Sequence, residues 1–480
     1  MIPGSTPSAA QWKAGENAFA LVREHIMNAI NAVVASRITH MLTCPINTTS
    51  GGIMEISPGF VGVNSERRKI PFTTYDFGWV VLCIGMAIGS GIIFMPVQVG
   101  LKGLWVFLGA VALSYPAVYH IQNLFLRTLI QSGNCEDYTS AISYYLGKNW
   151  GVALGLIYFV MLFAGIVTYA SSIAHDSASY LNTFGVSQTS LSSTWWYGLI
   201  LMAVLVAISA QGERVLFRVA GPMVVAKFGI IVILAMIMVP YWDLTKVSAL
   251  SDATSYIRDV LLTLPFALFS ILYVQILNPM NIAYRKLEPD PYVAAMKSVR
   301  VNRIAYVVLV VAVLFFTISF AFTVSKADAE NALAQNISAL AIAAKVVPGS
   351  WVKIMSVTLN IAAILSAFFG IYLGFMEALK GVVRNLLKRL INFDANDSRA
   401  FNFILCIMVV LMLWVWIQAN FSTVLILQVI GPVYGITTCL VPCYLIWKVE
   451  SLKSLRSKAT YYVVGYGVLL IISPFLKFFE

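Results

Sequence analysis

Gly85-Met86-Ala87-Ile88-Gly89-Ser90-Gly91 places three glycines in seven residues, inside an apolar run from about Phe77 to Val99. As a helix that run reaches about 35 Å at about 1.5 Å per residue, enough to cross a bilayer. Glycine weakens a helix interior, because it gives up the most backbone freedom and brings no side chain to pack. Backbone that leaves the helix at membrane depth must be satisfied by neighbouring protein or a watery cavity. A break there reads as a site, with freed amides for an anion and freed carbonyls for a cation. The competing reading is a small-residue seam where two helices approach closely. A dinucleotide-binding reading fails, since no strand precedes the glycines and no soluble βαβ unit comes after them.

Composition sets the class. Hydrophobic residues make up 59% of the 480 and charged ones 11%, against about 25% charged in a soluble domain. This is the composition of an all-α membrane protein. A net charge of +11 raises nucleic acid as a partner, but the basic residues cluster in short loops, so the bilayer explains them better. Cys83, Cys406, Cys439 and Cys443 lie in apolar spans without zinc-site spacing or histidine company, so neither a metal nor a disulfide framework is expected. No GxxxxGK[ST] loop or HExxH motif is present, which argues against an enzyme or an ATP-driven pump and implies no cofactor. Val463-Val464-Gly465-Tyr466-Gly467 resembles a potassium-channel filter. It sits in a continuous apolar span without a pore-helix setting, so that reading is set aside.

Eleven apolar spans succeed one another at roughly 76–99, 103–126, 151–174, 195–211, 216–241, 259–282, 304–324, 351–377, 401–418, 422–446 and 460–476. With the N-terminus cytoplasmic, 24 Lys/Arg fall inside and 7 outside, with Lys227 alone deep within a span. The positive-inside rule then puts Glu480 outside. Residues 1–74 form an N-terminal tail of different composition and 75–480 the membrane domain. An amphipathic helix is expected from Ala14 to Arg37 and a linker over Thr48–Pro58. Met54 is a plausible alternative start, which makes 1–53 dispensable. Cys135–Lys148 reads as a short interfacial helix, Ala327–Lys345 as a helical outer lid, and Arg285–Arg303 as a solvated cytoplasmic loop.

The sixth span carries a second interruption. Pro265 and Pro279 bracket Ser270, Tyr273, Gln275 and Asn278, and proline removes a backbone donor and clashes with the preceding turn. If spans 1–5 and 6–10 are two repeats, at about 75–241 and 256–447, the two interruptions occupy matching positions. An odd number of spans inverts the second repeat, and matching interruptions point to a transporter's binding site.

The string from Gly85 through Ile92-Ile93-Phe94-Met95-Pro96-Val97-Gln98-Val99-Gly100 resembles the first-helix motif of the hydroxy and aromatic amino acid permeases. Phe368-Phe369-Gly370-Ile371-Tyr372-Leu373-Gly374 with Glu377 is similar to the same family, and Gln335-Asn336-Ile337 is a weaker match. The resemblance covers about residues 74–480 and is nearest to the serine-transporter-like bacterial members. It implies a leucine-transporter-like fold of 5+5 inverted repeats plus one helix at 460–476. It also implies proton-coupled uptake at a bacterial cell inner membrane by a monomer. Serine or another small hydroxy amino acid is the first expected substrate and tryptophan or tyrosine the second; an amino-acid sensor is the non-transporting alternative.

An amino acid zwitterion needs donors for its carboxylate and acceptors for its ammonium, and unwound backbone offers both without a buried charge. Carried over from the resembling fold, those positions are Ala87, Gly89, Ser90 and Gly91 in span 1 and Phe269, Ser270 and Tyr273 in span 6. Phe269 and Tyr273 also fit as ordinary core aromatics. Lys227 stands near the middle of span 5, where a lysine costs about 2.5–3.5 kcal/mol on insertion scales and marks function by default. The resemblance makes it the proton carrier, with Ser366 or a neighbouring carbonyl as its span-8 partner. Asp76 and Glu377 read as boundary charges, Glu377 also as a possible cytoplasmic gate. His120, His175 and Asp176 read chiefly as hydrogen-bonded structure.

Overall fold

A computed structural model describes residues 70–132, 142, 144–189, 191–211, 213–246, 252–346, 349–391 and 399–479. The tail helix at 14–37, the linker at 48–58, the start at Met54 and most of the interfacial helix at 135–148 lie outside these residues. The chain divides at residue 63, and the described helices belong to the unit from Asn64 to Glu480.

Helices are the regular structure among the described residues of that unit. Span 1 is α1 (Thr74–Ala87) and α2 (Ser90–Lys102); α3 (Leu104–Gln131) and α4 (Lys148–Thr183) are spans 2 and 3. Next come α5 (Trp195–Ser209) and α6 (Glu213–Met238), then the divided sixth span α7 (Ala253–Ile271) and α8 (Val274–Leu287). α9 (Pro291–Thr323) is succeeded by two short helices, α10 (Lys326–Ala334) and α11 (Ala339–Val346), and by the long α12 (Ser350–Ile391). α13 (Arg399–Gln418), α14 (Thr423–Tyr434), α15 (Val441–Lys448) and α16 (Lys458–Ile472) close the bundle. Among the described residues eight helices are long and apolar enough to cross a membrane, and α1 with α2, bent by 48°, makes a ninth. The two remaining expected positions hold shorter apolar helices, Trp195–Ser209 and Ala226–Tyr241.

Local chemistry explains the ends. Thr73 and Asp76 form a reciprocal capping box at the start of α1, and Ser325 with Asp328 does the same for α10. The expected single lid helix is divided at 335–338. Asn336 there takes a positive φ of 54°, a conformation asparagine tolerates. Its amide donates to the Phe421 carbonyl at 3.0 Å, and its Oδ1 accepts from the Thr423 amide at 2.9 Å, which ties the lid to the start of α14.

The basic stretch Arg285–Arg303 corrects the expectation of a solvated loop: most of it is the end of α8 and the first turns of α9. Arg285 donates to the carbonyls of Leu129 and Ile130, Lys297 is buried against Glu288 at 2.6 Å, and Arg300 reaches Asp76 at 3.2 Å. Asp76 is likewise more than a boundary charge. Fully buried, it accepts from Tyr284 Oη at 2.6 Å and, with Arg300, joins the start of α1 to the end of α8 and the first turns of α9. The filter-like Val463–Gly467 is helical within α16, where Tyr466 donates to Ser114 at 3.0 Å.

Candidate functional site

The first break lies at Ile88-Gly89, as the glycines imply. Ile88 still donates to Ile84, closing α1, and the chain turns by 48° before α2 opens at Ser90. A helix start leaves its first amides without intrahelical partners and a helix end leaves its last carbonyls so. Ala87 is therefore the last residue of a carbonyl end, and Gly89, Ser90 and Gly91 belong to an amide end that favours an anion.

Lys227 points at this break from α6. Its Nζ donates to Gly85 O at 2.8 Å, to Ile88 O at 3.2 Å and to Ser366 Oγ at 2.8 Å, and the residue is 1% exposed. Three acceptors match the three N–H bonds of an ammonium. All three are neutral, so dipoles rather than an ion pair hold the charge. Ser366 also donates to Ala363 O at 3.1 Å, so α1, α6 and α12 meet at one nitrogen.

The second break falls at Leu272-Tyr273, within the expected window but between the prolines rather than at them. Pro265 lies inside α7 and Pro279 inside α8. Tertiary bonds hold the gap instead. Gln122 donates to Ile271 O at 3.1 Å, and Ser270 Oγ meets Tyr115 Oη at 3.2 Å while donating to Ala267 O at 2.8 Å. Tyr273 turns its fully buried side chain away from the gap and donates to the backbone and side-chain oxygens of Asn302 at 2.8 and 3.0 Å. What Ser270 and Tyr273 offer the gap is therefore backbone. A side chain at Gly91 would run into the backbone of Phe269 and Ser270, so the two breaks face each other in contact. The glycine string is a close-approach seam and a break together.

Glu377 is exposed on α12, about 16 Å along the axis from Ser366 at about 1.5 Å per residue, and so stands apart from this cluster. His120 packs edge-on to Tyr119 and Tyr462. His175 bonds to Ser171 O and Asn420, while buried Asp176 accepts from the Ser338 amide at 2.8 Å and Asn360 Nδ2 at 2.6 Å. The pair thus fastens the lid to α4 and α12.

Sequence reasoning missed one wall of the gap. Tyr169 on α4 brings its hydroxyl over Gly89, 2.5 Å from where a Cβ would stand, with Ala367 at 3.8 Å. Tyr434, the last residue of α14, meets Phe269 edge-to-face with centroids 4.7 Å apart, and the Gln275 side chain in the first turn of α8 comes near its hydroxyl. One signal was available: Tyr434 lies between Gly431-Pro432 and Gly435, a run that loosens a helix, and residues 435–440 indeed form a π-helical turn.

Two interrupted helices in contact near their breaks, with a buried lysine bonded to the carbonyls of the first, are the arrangement of a transporter built on broken helices. The fold agrees with this. A variant of the Eremococcus coleocola manganese transporter superimposes with a TM-score of 0.50 at 11% identity, over 86% of this chain and 88% of that one. The chain matches the tryptophan/tyrosine permease family over residues 73–477 and belongs to it. It is 44% identical over 415 residues to the probable serine transporter of Escherichia coli (strain K12), covering 86% of this chain and 94% of that protein. It is also 26% identical over 431 residues to the threonine/serine transporter TdcC of Yersinia enterocolitica, covering 84% and 95%.

Proposed function

We propose that the chain imports a small hydroxy amino acid such as serine in symport with a proton, acting as a monomer in a bacterial inner membrane. The observation that carries the coupling is the Lys227 nitrogen with its three acceptors at the first break. A charged amine fills all three. A neutral amine has only two N–H bonds and turns a lone pair to the third partner. Gly85 O and Ile88 O can only accept, so Ser366 is the partner able to reverse, releasing Ala363 and donating to the amine. Loss of the proton therefore keeps both bonds to α1 but from a neutral and weaker donor, and breaks the Ser366 bond to Ala363, and a change of interaction between states is what coupling requires. The substrate carboxylate is placed at the amides of Gly89, Ser90 and Gly91. Its ammonium is placed at the carbonyl ends near Ala87 and near Phe269–Tyr273. The names of the relatives support serine.

Competition uptake into proteoliposomes under an imposed proton gradient, using the full set of protein amino acids, tests this reading. Serine should compete best. A preference for tryptophan or tyrosine would overturn the substrate, and binding without uptake would make the chain a sensor.

The architecture we propose is eleven membrane helices, 5+5 inverted repeats and α16, with residues 1–53 dispensable. The N-terminus is cytoplasmic, on the strength of the 24-to-7 charge division. A phosphatase fused after Glu480 should then be active and a green fluorescent protein there dark. The reverse pattern would mean that one span has been miscounted.

A further inference from the structure

The gap between the breaks has three kinds of wall. The start of α2 is suited to a carboxylate, the ends of α1 and α7 to an ammonium, and the remaining side, formed by α4, α8 and α14, is left for the side chain. Tyr169, Phe269 and Tyr434 on that side are only half-buried and Gln275 is exposed, although they come from the same level of the bundle as the breaks. Part of each of these side chains is thus left uncovered by its neighbours.

The chemistry of this side is uneven. Phe269 and Tyr434 stand edge-to-face at 79°, so their rings limit the room from one direction. Tyr434 brings a hydroxyl that donates and accepts, and the Gln275 side-chain amide comes near enough to act on it. The backbone at Tyr434 is set by the wider π-helical turn next to it, where Thr438 donates to the Tyr434 carbonyl at 2.7 Å. A short side chain carrying a hydroxyl fits between these groups, whereas an indole meets two rings already in contact.

We infer that Tyr434 is the specificity-determining residue, bonding the substrate's side-chain hydroxyl, and that Gln275 is the positioning residue that orients the Tyr434 hydroxyl. This rests on the symport reading and adds the group that separates a hydroxy amino acid from its deoxy analogue. A site built to bond a hydroxyl leaves its polar groups unpaired when the analogue binds, and so rejects it.

The test uses the full-length protein in proteoliposomes and compares competition by serine and by alanine, which differ by the hydroxyl alone. Tyr434→Phe keeps the ring against Phe269 and removes only the oxygen. Serine should weaken by about tenfold, the worth of roughly one hydrogen bond, while alanine stays unchanged, so the serine-to-alanine ratio collapses. Gln275→Leu should move the ratio the same way but less, and the double variant should be no worse than Tyr434→Phe. That non-additivity is a readout that a merely structural Gln275 would not give. An unchanged ratio in Tyr434→Phe, or an equal loss for both amino acids, would overturn the assignment. If Tyr434→Phe does not reach the membrane, Gln275→Leu decides by the same ratio. Failure of the parent reading looks different, because the unaltered protein would then take up neither serine nor threonine.

Discussion

Lys227→Met vesicles should exchange serine across the membrane yet fail to concentrate it. Methionine roughly keeps the length and apolar bulk of the lysine stem and removes the titrating nitrogen. Counterflow needs only that the carrier alternate between its two faces, so it should persist. Uphill uptake needs the proton. One pH unit supplies about 1.4 kcal/mol and 100 mV about 2.3 kcal/mol per charge. Together they sustain accumulation of several hundred-fold at one proton per substrate, and nearly all of it should vanish in the variant, along with the dependence on external pH. Ser366→Ala should be intermediate, because it removes the one partner that can reverse its hydrogen bond, while Gly85 O and Ile88 O still hold the ammonium. Lys227→Ala is a weaker test, since it also opens a cavity among α1, α6 and α12. Uphill uptake that survives in Lys227→Met with its pH dependence intact would move the proton to another residue.

Lys227 was legible because it violates the local rule. A charge at the middle of an apolar span is expensive, so its presence alone makes it a candidate. The first break was legible for a similar reason, as glycine spacing is a local property of the chain. The second was legible only to within a few residues. Leu272 and Tyr273 are neither glycine nor proline, and the bonds that hold the break come from Gln122 on α3 and Asn302 on α9, both remote in sequence. The prolines that marked the span are absorbed within α7 and α8.

Asp76 and Arg300 show the same limit. Each looks like an ordinary loop-end charge until α1 and α9 are placed side by side, and only the folded chain shows the carboxylate buried and paired. Tyr169 and Tyr434 stayed hidden because aromatic residues are common in membrane helices, and nothing local distinguishes one that faces lipid from one that faces a gap. Residues that break a local rule could be read from the sequence; residues chosen by tertiary placement could not.

Gly91→Val should abolish transport outright, and Gly91→Ala should already cripple it. A Cβ at Gly91 meets the backbone of Phe269 and Ser270 rather than a movable side-chain tip. That backbone is pinned on both sides of the break by Ser270 to Tyr115, Gln122 to Ile271 and Tyr273 to Asn302, so it cannot give way locally. Overpacking a tight contact costs roughly 1–3 kcal/mol, and here the strain falls on the geometry of both breaks at once. A valine adds two further carbons and a stiff χ1. Gly89→Ala is the informative contrast. Its neighbour is the hydroxyl end of the Tyr169 side chain rather than backbone, so the expected effect is weaker substrate binding with alternation preserved. Gly370→Ala and Gly78→Ala meet nothing within 4 Å and should transport like the unaltered protein. The measurement is initial uptake rate, normalised to protein in the membrane, across the four alanine variants and Gly91→Val. The order should be Gly78 and Gly370 near normal, Gly89 reduced, then Gly91 lowest. Near-normal uptake in Gly91→Val would mean that α2 and α7 stand apart in the working cycle, and the gap between the breaks would then not be where the substrate is held.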